Sequence, residues 1–502
     1  MYVGVDIGST GLKVLVIDEH GRIISKSYFA YFTGSNQKGQ FEYHGAVICK
    51  VFKQALHQAL MGIEDKQAIK TISFSSLGEA FVPIDRSGKV LMNSILGTDR
   101  RGTEEFGAFI EKLKPGELAK ISGHCESCDF SVSKLLWIKK YHPEIYDKTW
   151  KFLLYEDWLG YCLTGRVCID YSLASRTMLF DIEKKQWSRE LAEHAGIDVD
   201  KLAEPVQSGS VIGTLLPSIA KEFGLSEKTL VVAGGHDVCC ALLGCGALSE
   251  GIAVDTTGTT ECISAVLGEQ RLSGQCIEKE GLVCEPYLLE NTFNTLAFMW
   301  NAGSIVEWYL RKLLHTEAYR GKSQSEMYAY FANNTRSVPQ KVFVLPHFSG
   351  TGTLHPNVKS AGAIINLTMD TEDADIYQAI LESITYEMKL NLQKLRRAGV
   401  CIEKLIAVGG GAKSAQWLQI KANIFDLPIW LPENQEAGAM GCAILGARAS
   451  GTYRTISEAV GEMVRVKQKY TVEAEKQTLY QECFEIYQEI SGGVRSIYKK
   501  II

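Results

Sequence analysis

The sequence predicts an α/β protein of two domains, and three observations carry that expectation. Strand-like runs alternate with helix-like ones along the chain. One short motif occurs twice, about half a chain length apart. At 502 residues the chain is also too long for one hydrophobic core, so it divides.

The repeated motif opens the chain. Val3-Gly4-Val5-Asp6-Ile7-Gly8-Ser9-Thr10-Gly11 returns as Ile252-Ala253-Val254-Asp255-Thr256-Thr257-Gly258-Thr259-Thr260. Each copy is an apolar run, an acid, a Gly/Ser/Thr turn and a second alternating run (Leu12–Ile17 and Cys262–Leu267), the pattern of a β-hairpin. Such turns leave backbone N–H groups and hydroxyls open, and these form an anion-binding concavity. Either turn alone reads first as an ordinary hairpin. As a pair they predict a duplicated phosphate clamp.

Further strands are predicted at Thr71–Ser75, Thr229–Ala233, Lys341–Leu345 and Lys404–Val408. Amphipathic helices are predicted at Ala46–Met61, Leu135–Tyr141 and Ala374–Ala398, the last with Ile376, Ile380, Ile384, Met388, Leu392 and Leu395 at helical spacing. The Gly-rich stretch 244–251 marks the division. It gives one domain over 1–245 and another over 246–502, ending in a charged, solvated helix (473–502) with an aromatic stripe of Tyr480, Phe484 and Tyr487.

Composition narrows the function. The chain is 46% hydrophobic and 22% charged, with a net charge of −5 and no basic block, which argues against nucleic acid as partner and against a polybasic membrane anchor. No apolar run approaches the length of a membrane span. The N-terminus enters a strand without a leader pattern, so a cytoplasmic protein is expected. The 14 cysteines are scattered and read as buried thiols; Cys125 and Cys128 form a lone C-x-x-C without a second pair for zinc.

Two further motifs bear on chemistry. Ala407-Val408-Gly409-Gly410-Gly411-Ala412-Lys413-Ser414 looks like a P-loop, but that motif needs glycine at 407 and 412. It follows a strand and precedes a helix-like stretch (416–425), which suits either a tight turn or close packing of a ring or ribose. A further turn, Glu436-Ala437-Gly438-Ala439-Met440-Gly441, opens a small-residue helix through Arg448 and by itself says only that two elements pack closely. Gly234-Gly235-His236-Asp237 lies between a strand and a helix. Asp237 there is either an N-cap or a general base kept ionised by the helix N-terminus; His236 either orients a substrate hydroxyl or fills the turn.

Taken in order, these motifs resemble the FGGY carbohydrate kinases of the actin–hexokinase–heat-shock-chaperone superfold. The likeness runs from Met1 to about Gly451. It also rests on the 130–137 segment, Asp157–Gly165 with Asp170-Tyr171-Ser172, Ser349–Pro356, and Gly438–Gly446. The resemblance implies two actin-like (ribonuclease H-like) domains with an interdomain cleft for ATP, Mg²⁺ and a small-molecule sugar, and it is compatible with a homodimer. By that likeness Asp237 is the general base and Asp6 holds Mg²⁺ through water. Gly8, Ser9, Thr10 and Lys13 make the first phosphate turn, Thr257, Gly258 and Thr259 the second, and Gly410, Gly411 and Ala412 the adenosine site. Glu79, Asp99, Asp129, His236 and Asp237 fall at substrate positions. Gly78 stands where glycerol kinases have arginine and xylulokinases methionine, and Gly97 where the family has tryptophan; these departures enlarge the pocket or move its contacts elsewhere.

The expected activity is ATP-dependent phosphorylation of a primary hydroxyl of a small ketopentose, deoxyketose or alditol. Two alternatives stand beside it: a kinase for another polar metabolite such as a signal sugar, and a non-catalytic, ATP-driven actin- or chaperone-like protein. The Gly-Gly-His-Asp turn argues against the last.

Overall fold

The computed structural model describes residues 1–31, 40–314, 321–355 and 360–501; of the residues named above, Pro356 and Ile502 lie outside these. In the first half, strands β1 (Tyr2–Ile7), β2 (Gly11–Ile17), β3 (Ile23–Ala30), β4 (Thr71–Ser76), β5 (Val211–Thr214) and β6 (Leu230–His236) form one sheet in the order β5-β6-β4-β1-β2-β3. Around it lie helices α1 (Gly45–Leu60), α2 (Ser131–Tyr141), α3 (Tyr155–Thr164), α4 (Tyr171–Ser175) and α5 (Asp237–Gly244). In the second half, β7 (Gly251–Thr257), β8 (Glu261–Gly268), β9 (Glu285–Pro286), β10 (Phe293–Met299), β11 (Ile402–Gly409), β12 (Ile429–Pro432) and β13 (Val466–Tyr470) form another, ordered β9-β10-β8-β7-β11-β12-β13. Its helices include α6 (Asp373–Arg397), α7 (Ala415–Phe425), α8 (Ala437–Ala449) and α9 (Ala474–Ile501).

The repeat in the sequence is a repeat in the fold. Read from β3, the first sheet pairs antiparallel, antiparallel, parallel, parallel, antiparallel through β3-β2-β1-β4-β6-β5. The second pairs in the same series through β10-β8-β7-β11-β12-β13. The central strands are buried at almost every position (Val3, Val5 and Ile7; Ala253 and Val254), because helices cover both faces and leave no solvent side to alternate with.

Two helices depart from the expected picture, one by crossing between the halves and one by its burial. α8 follows the second sheet's β12 in sequence, yet it lies on β1 and β4 of the first sheet and against α5. Its small side chains permit this approach: a β-carbon on Gly4 of β1 would collide with the Ala439 carbonyl. The terminal helix α9 is less solvated than its charge suggests. Tyr480, Phe484 and Tyr487 are all buried, and the Tyr487 hydroxyl donates to Glu387 of α6 at 2.6 Å.

Parallel pairing puts the ends of β1, β4 and β6 at one edge of the first sheet and those of β7 and β11 at one edge of the second. The turns leaving those edges carry nearly every residue singled out above, as expected where an α/β sheet presents a ligand crevice at its strand ends.

Candidate active site

The two hairpin turns are built alike. Gly8 N–H donates to Gly11 O at 3.0 Å, and Gly258 N–H to Thr260 O at 2.8 Å. In each, donors from behind engage the turn's carbonyls. Tyr31 and Tyr43 hydroxyls reach Gly8 O and Ser9 O; Gly303 N–H reaches Gly258 O at 3.0 Å and Ser304 Oγ reaches Thr259 O at 3.0 Å. Carbonyl oxygens that would repel a phosphate are thereby occupied, while Ser9, Thr10 and Thr259 stay exposed.

The repeated aspartates have opposite surroundings. Asp6 accepts from Ser75 Oγ at 3.0 Å, and the start of α8 stands over it, where a β-carbon on Gly438 would come within 3.0 Å of Asp6 Oδ1. Burial pushes its carboxyl up to about 6, against the pull of Lys13 and with the added repulsion of Asp237. Lys13 is itself paired with Glu436 at 2.8 Å. A half-buried carboxylate so poorly neutralised suits a dication. Asp255 instead is 2.5 Å from Lys421 Nζ, which also reaches Thr257 Oγ1 at 2.6 Å and Glu261 at 3.0 Å. Thr257's hydroxyl is thus turned inward, toward the Lys421 ammonium. Burial and then Asp255 push Glu261 up to about 8.

The third turn leaves β11 through Gly409, whose φ of 89° lies in the left-handed region that glycine adopts without strain. Gly410 is exposed, Gly411 partly so, and Ala412 buried, so the last offers backbone only.

At the end of the first sheet, Asp237 begins α5 with its side chain 42% exposed. Its Oδ1 accepts from Val238 N–H at 2.7 Å and lies 3.2 Å from His236 Nε2; among the described residues no hydrogen bond reaches Oδ2. His236 is buried, its N–H on Ser172 Oγ at 2.8 Å, and its Nδ1 lies 3.1 Å from Glu285 Oε2. Arg176 bridges Glu285, at 2.6 Å, and Glu79, whose Oε1 accepts from Nε at 2.6 Å. Glu79 sits at φ 73°, a conformation a non-glycine side chain holds only where its surroundings enforce it.

Gly97 and Gly78 find their explanation here. A β-carbon on Gly97 would stand 2.9 Å from Asp129 O and 3.5 Å from Glu79 Cβ, so Gly97 brings those two candidates together. One on Gly78 would press on the Arg176 side chain at 3.1 Å. No arginine precedes Glu79 in sequence, but the guanidinium of Arg176, at the end of α4, pairs with it. Asp129 pairs with Arg100 at 2.8 Å near the surface. Asp99 is 3% exposed and accepts from Phe41 N–H and the Arg101 guanidinium, which ties its loop to the segment at Phe41 rather than presenting its carboxylate to solvent.

Sequence reasoning missed Arg176, Glu285, Lys421 and Glu436. Only Arg176 had a local signal, six residues after Asp170. His236, Cys239 and Glu285 offer ligand atoms within 4.8 Å of one another. A cation there would meet the Arg176 guanidinium already on Glu285, and the Cys239 thiol donates to Asn294 Oδ1 at 3.2 Å; the cluster is an ion-pair chain.

Comparison with known proteins identifies the family. The chain matches the FGGY family of carbohydrate kinases, N-terminal domain, over residues 1–244 and its C-terminal domain over 253–450. It is 28% identical to a xylulose kinase of Bacillus subtilis strain 168 over 491 residues, covering 97% of this chain and 96% of that one. It is 26% identical to an autoinducer-2 kinase of Enterobacter sp. strain 638, covering 97% and 93%. The crystal structure of a ligand-bound xylulose kinase from Lactobacillus acidophilus superposes with a TM-score of 0.88 at 21% identity, covering 100% and 99%. With both halves matched in order and one fold throughout, the chain belongs to the FGGY family of carbohydrate kinases, phosphotransferases that act on sugars.

Proposed function

We propose that this sugar kinase transfers the γ-phosphate of ATP to a primary hydroxyl of a small neutral sugar, a ketopentose, deoxyketose or alditol, with Asp237 as general base. The observation that carries this reading is Asp237 itself: a partly exposed carboxylate at a strand end, one oxygen tied down and the other unengaged, close enough to Asp6 for the two charges to repel. The non-catalytic alternative is set aside with the family.

Phosphoryl transfer asks mainly for positioning and charge neutralisation. The turns at Gly8–Thr10 and Thr257–Thr259, with Lys13, would hold the phosphates, and Gly410–Ala412 the adenosine. Asp6 and Ser75 are the residues that would hold Mg²⁺, which when bound neutralises charge developing on the transferred group. Glu79 and Asp129, brought together over Gly97, would accept hydroxyl hydrogen bonds from the sugar, and His236 would fix the base. Asp99 would act on the substrate through the loop it holds.

The test is ADP release with pentuloses, deoxyhexuloses, alditols and glycerol; likeness to an autoinducer-2 kinase adds that signal sugar to the panel. Asp237→Asn should lower sugar-dependent turnover by roughly 100- to 10,000-fold with ATP binding nearly unchanged. Retention of more than about a tenth of the turnover, outside that range, would make Asp237 a helix cap only.

A further inference from the structure

Asp237 ends a row of alternating charges: Glu79, Arg176, Glu285 and His236 are joined by hydrogen bonds, and His236 Nε2 lies 3.2 Å from Asp237 Oδ1 as an ion pair. The row draws on the turn after β4, the end of α4, the end of β6 and the start of α5, and Glu285 comes from β9 of the other sheet. Glu285 is fully buried, and each of its oxygens has a partner: Oε1 takes Arg176 and Oε2 faces His236 Nδ1.

The two ring nitrogens of His236 therefore face two carboxylates. Ionised carboxylates only accept hydrogen bonds, and a neutral imidazole donates from one nitrogen alone. A neutral ring would turn one bare nitrogen lone pair toward a carboxylate oxygen about 3 Å away, whereas the imidazolium presents positive charge to both. Electrostatics agrees: burial would lower the ring's affinity for its second proton, but Glu285 and Asp237 outweigh it and raise the pKa. Burial would likewise raise Glu285, yet His236 and Arg176 hold it well below the carboxylate range.

We propose that Glu285 and His236 are positioning residues of the phosphoryl-transfer site: Glu285 keeps His236 an imidazolium, and the imidazolium with Val238 N–H pins Oδ1 of Asp237 so that Oδ2 alone faces the sugar hydroxyl. This rests on Asp237 being the base. In the step, the hydroxyl O–H bond breaks and its proton passes to Oδ2. The hydroxyl oxygen bonds to the γ-phosphorus, the bond from that phosphorus to the bridging oxygen breaks, and ADP leaves. His236 keeps both protons throughout. A strongly basic acceptor is not needed, because in a loose transition state the nucleophile gives up its proton late.

The groups facing His236 are Glu285 from β9, Asp237 and the Cys239 thiol from α5, Arg176 from the end of α4, and His124, which burial pushes down to about 3 and leaves neutral. Loss of the second ring proton should thus set an alkaline fall in kcat/KM for the sugar. Glu285→Gln removes the neighbouring negative charge, so that fall should move about one to three pH units toward acid. kcat at neutral pH should drop about 10- to 100-fold, as for a misplaced reacting group, with the KM for ATP unchanged.

His236→Gln keeps a neutral donor toward Asp237; it should retain more activity than His236→Ala and lose the alkaline fall. Nitrogen-15 spectra of the wild-type histidine rings, with His236 assigned by the His236→Gln difference, should read imidazolium at neutral pH. These last two measurements stand even if Glu285→Gln does not fold. A neutral His236 ring, or a Glu285→Gln enzyme with wild-type kcat and alkaline limb beside an inactive Asp237→Asn, overturns the positioning role alone. An active Asp237→Asn overturns it together with the base.

Discussion

At the scale of single residues, the sugar pocket is defined by what fills it. Glu79 is held in the left-handed region with its carboxylate on Arg176, so on the proposed reading it would meet the sugar as an acceptor already tied to a guanidinium. Glu79→Gln should raise the sugar KM about 10- to 100-fold, corresponding to one lost charge-assisted bond of about 1.5–3 kcal/mol, with the KM for ATP unmoved; steady-state kinetics on the sugar found by the panel decides. Gly97→Trp would not refill an empty space, since its β-carbon already meets Asp129 O. Gly258 is a contrasting glycine. It is outside the left-handed region, and a β-carbon there would have only Thr260 O, at 3.9 Å, within reach. Gly258→Val should therefore raise the KM for ATP while leaving the melting temperature unchanged. An altered melting temperature with normal ATP kinetics would place its role in the fold.

Among the elements, α9 joins the chain's end to the second half through buried polar contacts as well as its aromatic stripe. Tyr487 donates to Glu387 Oε2 at 2.6 Å, and His347 Nε2 lies 2.9 Å from Glu387 Oε1. Tyr487→Phe keeps the packing and removes the hydroxyl, leaving a buried carboxylate oxygen short of a donor at a cost of about 1–3 kcal/mol. A clear fall in the melting temperature of the second half, read by thermal denaturation, is expected. No change would mean that α9 contributes only apolar packing. α8 acts differently: by lying on β1 and bringing Glu436 to Lys13, it ties a segment late in the chain to the first phosphate turn.

For the whole molecule, one six-stranded plan was used twice and its two acids were given different surroundings. Asp6 is left with Ser75 and a Lys13 shared with Glu436, whereas Asp255 is closed off by Lys421. Lys421 is 2% exposed between two carboxylates. Lys421→Met would leave both unpaired in the interior and should destabilise the second half by about 3–5 kcal/mol, seen as early unfolding of that half. Adding Glu261→Gln should restore part of the loss. If the single variant melts like the wild type, Asp255 is not held by this pair.

The sequence by itself determined the doubled hairpin, the alternation of strands and helices, the glycine-rich turns and the placing of Asp237 at a strand end. All of these are written in residues near one another, where periodicity and turn chemistry act. The tertiary structure alone decided which charges meet. Arg176 and Glu285 are 109 residues apart and Lys421 and Asp255 are 166 apart. Nor could composition tell that the aromatic face of α9 is buried, or that α8 crosses to the first sheet. A pairing across such a distance leaves no local pattern, because burial makes each charge require its partner only after the strands that carry them have been brought together.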